Sequence, residues 1–513
     1  MNLKQVLWGI SGLLAFAGGS IALAATVDSD SDSSAKKDYL QHCASCHGEA
    51  RLGGIGPALL PDNLSRTRKK AAIDVISNGR ALTQMPGFGA LLSEKQIKAV
   101  ADYVYQPPKL LPKWEAKEIG ASRVEHFDQD KLGNKPVFKA DLQNLFIVVE
   151  TGDHHATLLN GDTFEPIHRF KTRFAVHGGP KYSPDGRYVY FASRDGWISK
   201  FDIYNLKTVA EVRAGINTRN AAMSFDGKTI AVGNYLPNNM VLLDARDLSL
   251  IKIIDAKNDE GKSSRVSAVY TAPTRGSFVA AMKDFTEIWE IPYSGENKFK
   301  ARRVVLEDYL DDFFFNQDYS LVIGASRPAN SKGHQKNLTG KVINLDTGKL
   351  VSNIDIKGMP HLGSGITWDY QGTEVLASPN LSKGEVSVID MKSWKTVKTL
   401  KTEGPGFFMR SHEGSKYAWA DVFFGPNKDK IHVIDKSTLE IVKTLQPEPG
   451  KTAAHIEYTK DGKYALLSIW DMDGAVIVYD AETLKEVKRL PMKKPSGKYN
   501  VYNKTHYERG TSH

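Results

Sequence analysis

Two thiols and an imidazole stand together early in the chain, in Cys43-Ala44-Ser45-Cys46-His47. Their types and spacing fit one covalent chemistry. In a c-type haem the thiols add across two vinyl groups, and the adjacent histidine meets the iron from one side. A C-x-x-C pair alone would also suit a redox dithiol or half of a zinc site. Cys43 and Cys46 are the only cysteines in the sequence, so a second thiol pair for zinc does not exist. The immediate histidine favours haem attachment over dithiol chemistry.

The elements that must position this motif are helical. A helical pattern begins near Lys36 and runs into the motif, and two further helix-like segments cover Lys70 to Asn78 and Ser93 to Tyr105. Apart from Met1, the only methionine in the first hundred residues is Met85, on the intervening loop in Gln84-Met85-Pro86-Gly87. This arrangement resembles class I cytochromes c, in which a loop methionine closes the iron and raises its potential. The resemblance implies that Met85 is the sixth ligand and that Gly56-Pro57 supplies a carbonyl orienting His47. The alternative for Met85 is a core gap-filler. His42 abuts the motif and reads as structural. An iron held by histidine and methionine transfers electrons and has no open position for substrate.

The chain has 513 residues, 41% hydrophobic and 25% charged, with a formal net charge of +9. That composition excludes a disordered chain and a polytopic membrane protein, and the two cysteines exclude a disulfide framework. The basic excess would attract nucleic acid, anionic lipid or an acidic small molecule alike. Residues 1–24 read as a secretory signal ending in the small-residue site Ala22-Leu23-Ala24, with an uncleaved anchor as the alternative. A bacterial periplasmic protein is expected. Residues 25–35 are an acidic leader expected to be disordered, and 36–106 the cytochrome domain. Residues 107–116 form a proline-rich linker that no helix can cross.

From 117 to 513 the pattern becomes short runs rich in Val, Ile, Phe and Tyr, separated by turns, and it repeats. Turns open at Asp141, Ser183, Ser224, Ala272, Asn316, Asp369, His412 and Thr459. Paired strands then reach Asp202, Asp244, Asp346, Asp390, Asp435 and Asp480 in the clearer copies. Eight copies at this spacing predict an eight-bladed β-propeller, closed by a strand at Lys498 to Val501 against the first blade. A linear solenoid fits worse, because nothing resembles polar capping repeats. The fold class is therefore a small all-α cytochrome c domain followed by an all-β eight-bladed propeller.

Two histidines fall at strand-to-loop transitions, His177 in Phe174-Ala175-Val176-His177-Gly178-Gly179 and His361 in Met359-Pro360-His361-Leu362-Gly363-Ser364-Gly365. Each could be an ordinary surface residue or a movable ligand on a loose loop. With these segments the mature chain resembles the cytochrome family that joins a c-type haem domain to a propeller holding haem d1, best known from respiratory nitrite reductases. The resemblance implies His177 as the proximal ligand of the d1 iron and His361 on the distal side. It also implies that Arg194 (Ser193-Arg194-Asp195) and Arg219 (Gly215-Ile216-Asn217-Thr218-Arg219) grip the carboxylates of the tetrapyrrole. Bidentate, permanently charged guanidinium groups suit that task.

Departures from the nitrite reductases are equally specific. Where they carry a second distal histidine, this chain reads Val375-Leu376-Ala377-Ser378-Pro379-Asn380-Leu381, and two family arginines are replaced near Gly152 and Pro180. Neither Pro nor Asn delivers a proton near neutral pH. These departures resemble the paralogous branch that makes haem d1, the dihydro-haem d1 dehydrogenases. That likeness implies oxidation of a propionate of dihydro-haem d1 to an acrylate, with electrons passed to the c-type haem. His455 in Ala454-His455-Ile456-Glu457 and Tyr499 in the closing strand would handle the protons. Asp153, His154 and His155 read equally well as a polar turn. The alternatives are a nitrite reductase making nitric oxide and a non-catalytic haem d1 carrier. Implied cofactors are one covalent haem c and non-covalently bound haem d1 or dihydro-haem d1. Implied partners are the tetrapyrrole, a periplasmic electron acceptor and a nitrite reductase receiving haem d1. Neither nucleic acid nor stable membrane insertion is expected, and the chain is expected to be a monomer.

Overall fold

The computed structural model describes residues 28–506, except 55, 66, 81–84, 110–111, 175, 177–178, 326–339, 355 and 357. The secretory segment, His177 and the stretch beyond 506 therefore lie outside the described residues. Five helices, α1 (Asp28–His42), α2 (Ala44–His47), α3 (Pro61–Leu64), α4 (Lys69–Asn78) and α5 (Glu94–Val104), build the N-terminal domain. The amphipathic α5 buries Ile97, Val100, Ala101 and Val104 against Tyr39, Cys43, Ile76 and Phe88. Ser93 caps it, its hydroxyl accepting from the Gln96 amide while the Gln96 side chain accepts from the Ser93 amide.

α1 begins at Asp28, eight residues before the expected start at Lys36, so most of the leader is helical rather than disordered. Residues 28–35 contain no Pro or Gly to interrupt a ladder that α1 propagates backwards from its packed end. A second difference follows the linker. Ala116–Ser122, expected to open the β region, is a helix that buries Ile119 between the second and third blades.

Eight antiparallel sheets follow, and their order closes a ring. In the first blade the innermost strand is the last in sequence. Pro495–Asn500 pairs with Leu145–Glu150, placing Tyr499 opposite Ile147 and Lys498 opposite Val148. Alternation along Leu145–Glu150 then sends Leu145, Ile147 and Val149 toward the second blade and Phe146 and Val148 toward the eighth. Both faces are buried, which is why this strand reads as an unbroken apolar run. Apolar clusters fill every interface between neighbouring blades around the ring. A linear solenoid would leave two such faces bare.

The turns that marked the repeat have a common cause. The Ser183, Ser224 and Thr459 hydroxyls accept from the amides of Tyr188, Thr229 and Tyr464. Asp202, Asp244, Asp390, Asp435 and Asp480 end third strands, each accepting from the amide two residues on.

The cytochrome domain sits on the ring through Leu52, Ala58 and Leu60, which pack with Ile216, Trp114 and Leu236. The Asn63 amide side chain donates to the Ile216 carbonyl at 3.0 Å.

Candidate functional site

In the cytochrome domain the short helix α2 carries Cys46 and His47, with Cys43 at its N-terminal edge. The two thiols are unpaired. Burial pushes the Cys43 thiol up to about 11, which makes it a poor thiolate and argues against dithiol exchange. His47 Nδ1 lies 2.8 Å from the Pro57 carbonyl oxygen. A carbonyl only accepts, so Nδ1 carries the proton and Nε2 keeps its lone pair for a metal. Gly56 makes room for this ring, since a Cβ there would fall 2.8 Å from His47 Cε1. Met85 packs into the same apolar cluster as Cys43. Thiols, imidazole, thioether and the glycine cradle together fit a c-type haem.

The second site is a cavity of about 690 Å³ at the centre of the propeller. The innermost strand of most blades contributes to it. Lys181 comes from the second blade, Arg219 from the third, Tyr270 from the fourth and Asp312 from the fifth. Arg410 comes from the seventh, His455 from the eighth and Tyr499 from the first. His361 enters from the loop before the sixth blade. Phe407, Phe408, Phe423, Phe424 and Trp470 form an apolar wall.

His361 and His455 are held in different ways. The His361 ring stands on Phe407, with Nδ1 2.7 Å from the Phe407 carbonyl oxygen. As at His47, that bond fixes the tautomer and leaves Nε2 for a metal. The surrounding loop is tied, not loose. The His361 amide donates to the Pro379 carbonyl, and the Leu381 amide to that of Met359. Asn380 is buried and accepts from the Met359 amide. It serves as a fastener for the loop.

His455 sits on a β-bulge. Register slips between Ala454 and Ile456, and His455 takes φ of 55°. Its Nδ1 is buried without a hydrogen-bond partner. Burial, then the charges of Lys498, Lys504 and Arg410, hold its proton affinity well below the ordinary range, so the imidazole is neutral. The Tyr499 ring meets it edge-on at 5.2 Å between centroids. Burial and the Glu457 carboxylate raise the Tyr499 hydroxyl, which stays protonated. A Cβ at Gly179 would come 2.8 Å from Tyr499 Cε1, so that position must stay small.

Cations surround the pair. Burial lowers Lys181 to about 8, and burial with Arg410 lowers Lys504 to about 7. Arg410 pairs with the buried Glu457 at 3.2 Å, and Asn503 donates to the same carboxylate. Arg219 keeps its charge because Asp312 and its neighbours outweigh burial. Dry positive walls of this kind fit an anionic, flat, apolar ligand.

The cavity thus brings together Arg219, His361, His455 and Tyr499. Arg194 is half-buried and not among the lining residues; its carbonyl accepts from the Thr218 amide. Its neighbour Ser193 bridges Val176, and Val176 and Gly179, flanking His177 in sequence, do line the cavity. Asp153 and His155 form a turn tied to Arg169, and none of Asp153, His154 and His155 lines the cavity. Sequence reasoning missed Lys181, Arg410, Glu457, Asn503 and Lys504. The signal within reach was Lys504, four residues beyond the closing strand.

Known proteins extend these observations. The family described as the cytochrome D1 heme domain matches residues 140–504, and that of the cbb3-type cytochrome c oxidase subunit III matches residues 31–104. The chain is 57% identical over 475 residues to the dihydro-heme d1 dehydrogenase of Pseudomonas aeruginosa, covering 93% of this chain and 95% of that one. It is 26% identical over 564 residues to the nitrite reductase of Stutzerimonas stutzeri, covering 98% of each. A solved structure of the dihydro-heme d1 dehydrogenase NirN in complex with DHE superposes with a TM-score of 0.89 at 56% identity. It covers 92% of this chain and 100% of that one.

Proposed function

This chain belongs to the cytochrome D1 haem-domain family, and within it we propose an oxidoreductase that converts dihydro-haem d1 to haem d1. A propionate –CH2–CH2–COO⁻ of the substrate becomes –CH=CH–COO⁻, releasing two protons and two electrons. The observation that carries this reading is a neutral, unpartnered His455 facing Tyr499 in a cation-lined cavity. The identity to a dehydrogenase of the same chemistry supports it.

His455 accepts a proton from the side chain being oxidised, since its ring nitrogen is free and burial keeps it unprotonated. Tyr499, protonated, donates a hydrogen bond to the adjoining carboxylate and orients it. Arg219, Arg410, Lys181 and Lys504 hold the remaining carboxylates. His361 would offer Nε2 to the substrate iron, and the family resemblance assigns His177 as the other ligand. The aromatic wall excludes water from the reacting carbon atoms. A c-type haem held by Cys43, Cys46, His47 and Met85 would supply a one-electron acceptor.

Among the described residues no helix is long and apolar enough to cross a membrane. The secretory pattern before Ala25 supports a periplasmic reaction. There a soluble acceptor would remove the electrons and a nitrite reductase would receive the product.

Anaerobic incubation of the c-haem-containing protein with dihydro-haem d1 and an oxidant tests the reading. Mass spectrometry of the extracted tetrapyrrole should find it lighter by two hydrogens. Unchanged mass with a shifted spectrum would make the protein a carrier instead.

A further inference from the structure

The left-handed bulge at His455 leaves its backbone carbonyl outside the sheet ladder, and two buried ionisable side chains stand close to the bulge. Lys498, fully buried in the closing strand, donates through Nζ to the His455 carbonyl and to Ser468 Oγ, the latter at 2.8 Å. Asp421, 1% exposed at the end of Tyr417–Asp421 in the seventh blade, lies on the other side. Its Oδ1 accepts from the amides of Phe407 at 2.7 Å and Phe408 at 3.0 Å. Its Oδ2 is buried without a hydrogen-bond partner.

Asp421 therefore touches both sides of the cavity. Through the Phe407 backbone it is one residue removed from the carbonyl that fixes the His361 ring. Phe408, whose amide it also holds, packs edge-on to the His455 ring at 5.1 Å. Neither Asp421 nor Lys498 lines the cavity.

We infer that Lys498 and Asp421 are positioning residues: Lys498 holds the His455 bulge by its carbonyl, and Asp421 sets the His361 and His455 rings together through the Phe407–Phe408 segment. The inference rests on the proposed role of His455. A buried carboxylate gathering amides is costly unless its geometry is needed, and here the geometry aims two imidazoles into one cavity.

Hydrogen–deuterium exchange of the substrate-free, c-haem-containing protein tests the clamp without turnover. In Asp421→Asn, exchange should rise in both the 404–411 and 453–458 segments. In Lys498→Met it should rise in 453–458 alone. Turnover should fall about 10–100-fold with KM little changed. In a His455→Gln background, Lys498→Met should add little further loss, because both act through one ring. Unchanged exchange in both variants, or an undiminished additional loss in the His455→Gln background, would overturn the inference. Should Asp421→Asn not fold, the exchange and turnover of Lys498→Met decide alone. Wild-type protein that leaves dihydro-haem d1 unconverted would refute the reaction, while the exchange result would still judge the clamp.

Discussion

His47 and His455 are both largely withdrawn from water, and burial lowers the proton affinity of each. The cytochrome domain holds its histidine by the ring, with Nδ1 against the Pro57 carbonyl. The propeller holds His455 by its backbone and leaves Nδ1 with no partner. The first arrangement suits a metal ligand, whose tautomer must not change. The second suits a proton acceptor, whose ring nitrogen must be able to change state. His361, ring-bonded to Phe407, sides with His47 although it shares the cavity with His455. Role follows the mode of support, not the neighbourhood.

The largest effect should come from removing the free nitrogen. His455→Gln should slow turnover about 10²–10⁴-fold and leave the spectrum of bound tetrapyrrole unchanged. A changed iron spectrum would place His455 with the ligands and break the contrast. Tyr499→Phe removes one hydrogen bond to a charged group, and turnover should fall about tenfold with binding retained. Wild-type turnover in that variant would show that Tyr499 does not orient the carboxylate.

The pH dependence sharpens the same contrast. Lys181 and Lys504 sit near 8 and 7 in the substrate-free protein, below the ordinary lysine value of about 10.4. A carboxylate ligand would raise both, so binding takes up protons across that window and affinity falls as pH rises through it. Folding has the opposite slope, because the unfolded chain binds these protons more readily; stability contributed by these lysines grows as pH rises. Calorimetry in buffers of different ionisation enthalpy should detect the uptake. Proton release on binding would contradict the assignment. The smallest effect is local. Gly56→Ala, which crowds the His47 ring, should destabilise the cytochrome domain by about 1–3 kcal/mol. Tetrapyrrole affinity in the propeller should not move; a parallel loss there would show that the two regions do not act independently.

The repeat was legible because most blades use a similar solution at their turns, a Ser, Thr or Asp accepting from nearby amides. The cytochrome site was legible because Cys43, Cys46, His47 and Pro57 lie within one short segment. The funnel was legible only where a residue stood in a recognisable segment, as His361, His455 and Tyr499 did. Lys181, Arg410 and Lys504 look like any surface cation in a chain with 68 Lys and Arg. Only ring closure brings them inside. The bulge at His455 has no sequence mark, because the groups around it, Lys498 at its carbonyl and Phe408 at its ring, come from other parts of the chain. Arg194 shows the reverse, a residue in a matching segment that the fold keeps off the cavity lining.

The innermost strand of the first blade is Pro495–Asn500, more than three hundred residues after the rest of that blade. Pairing of this strand brings Lys498 to the His455 carbonyl and Tyr499 to the His455 ring, with Lys504 just beyond. Sealing the ring and completing this side of the cavity are therefore one event.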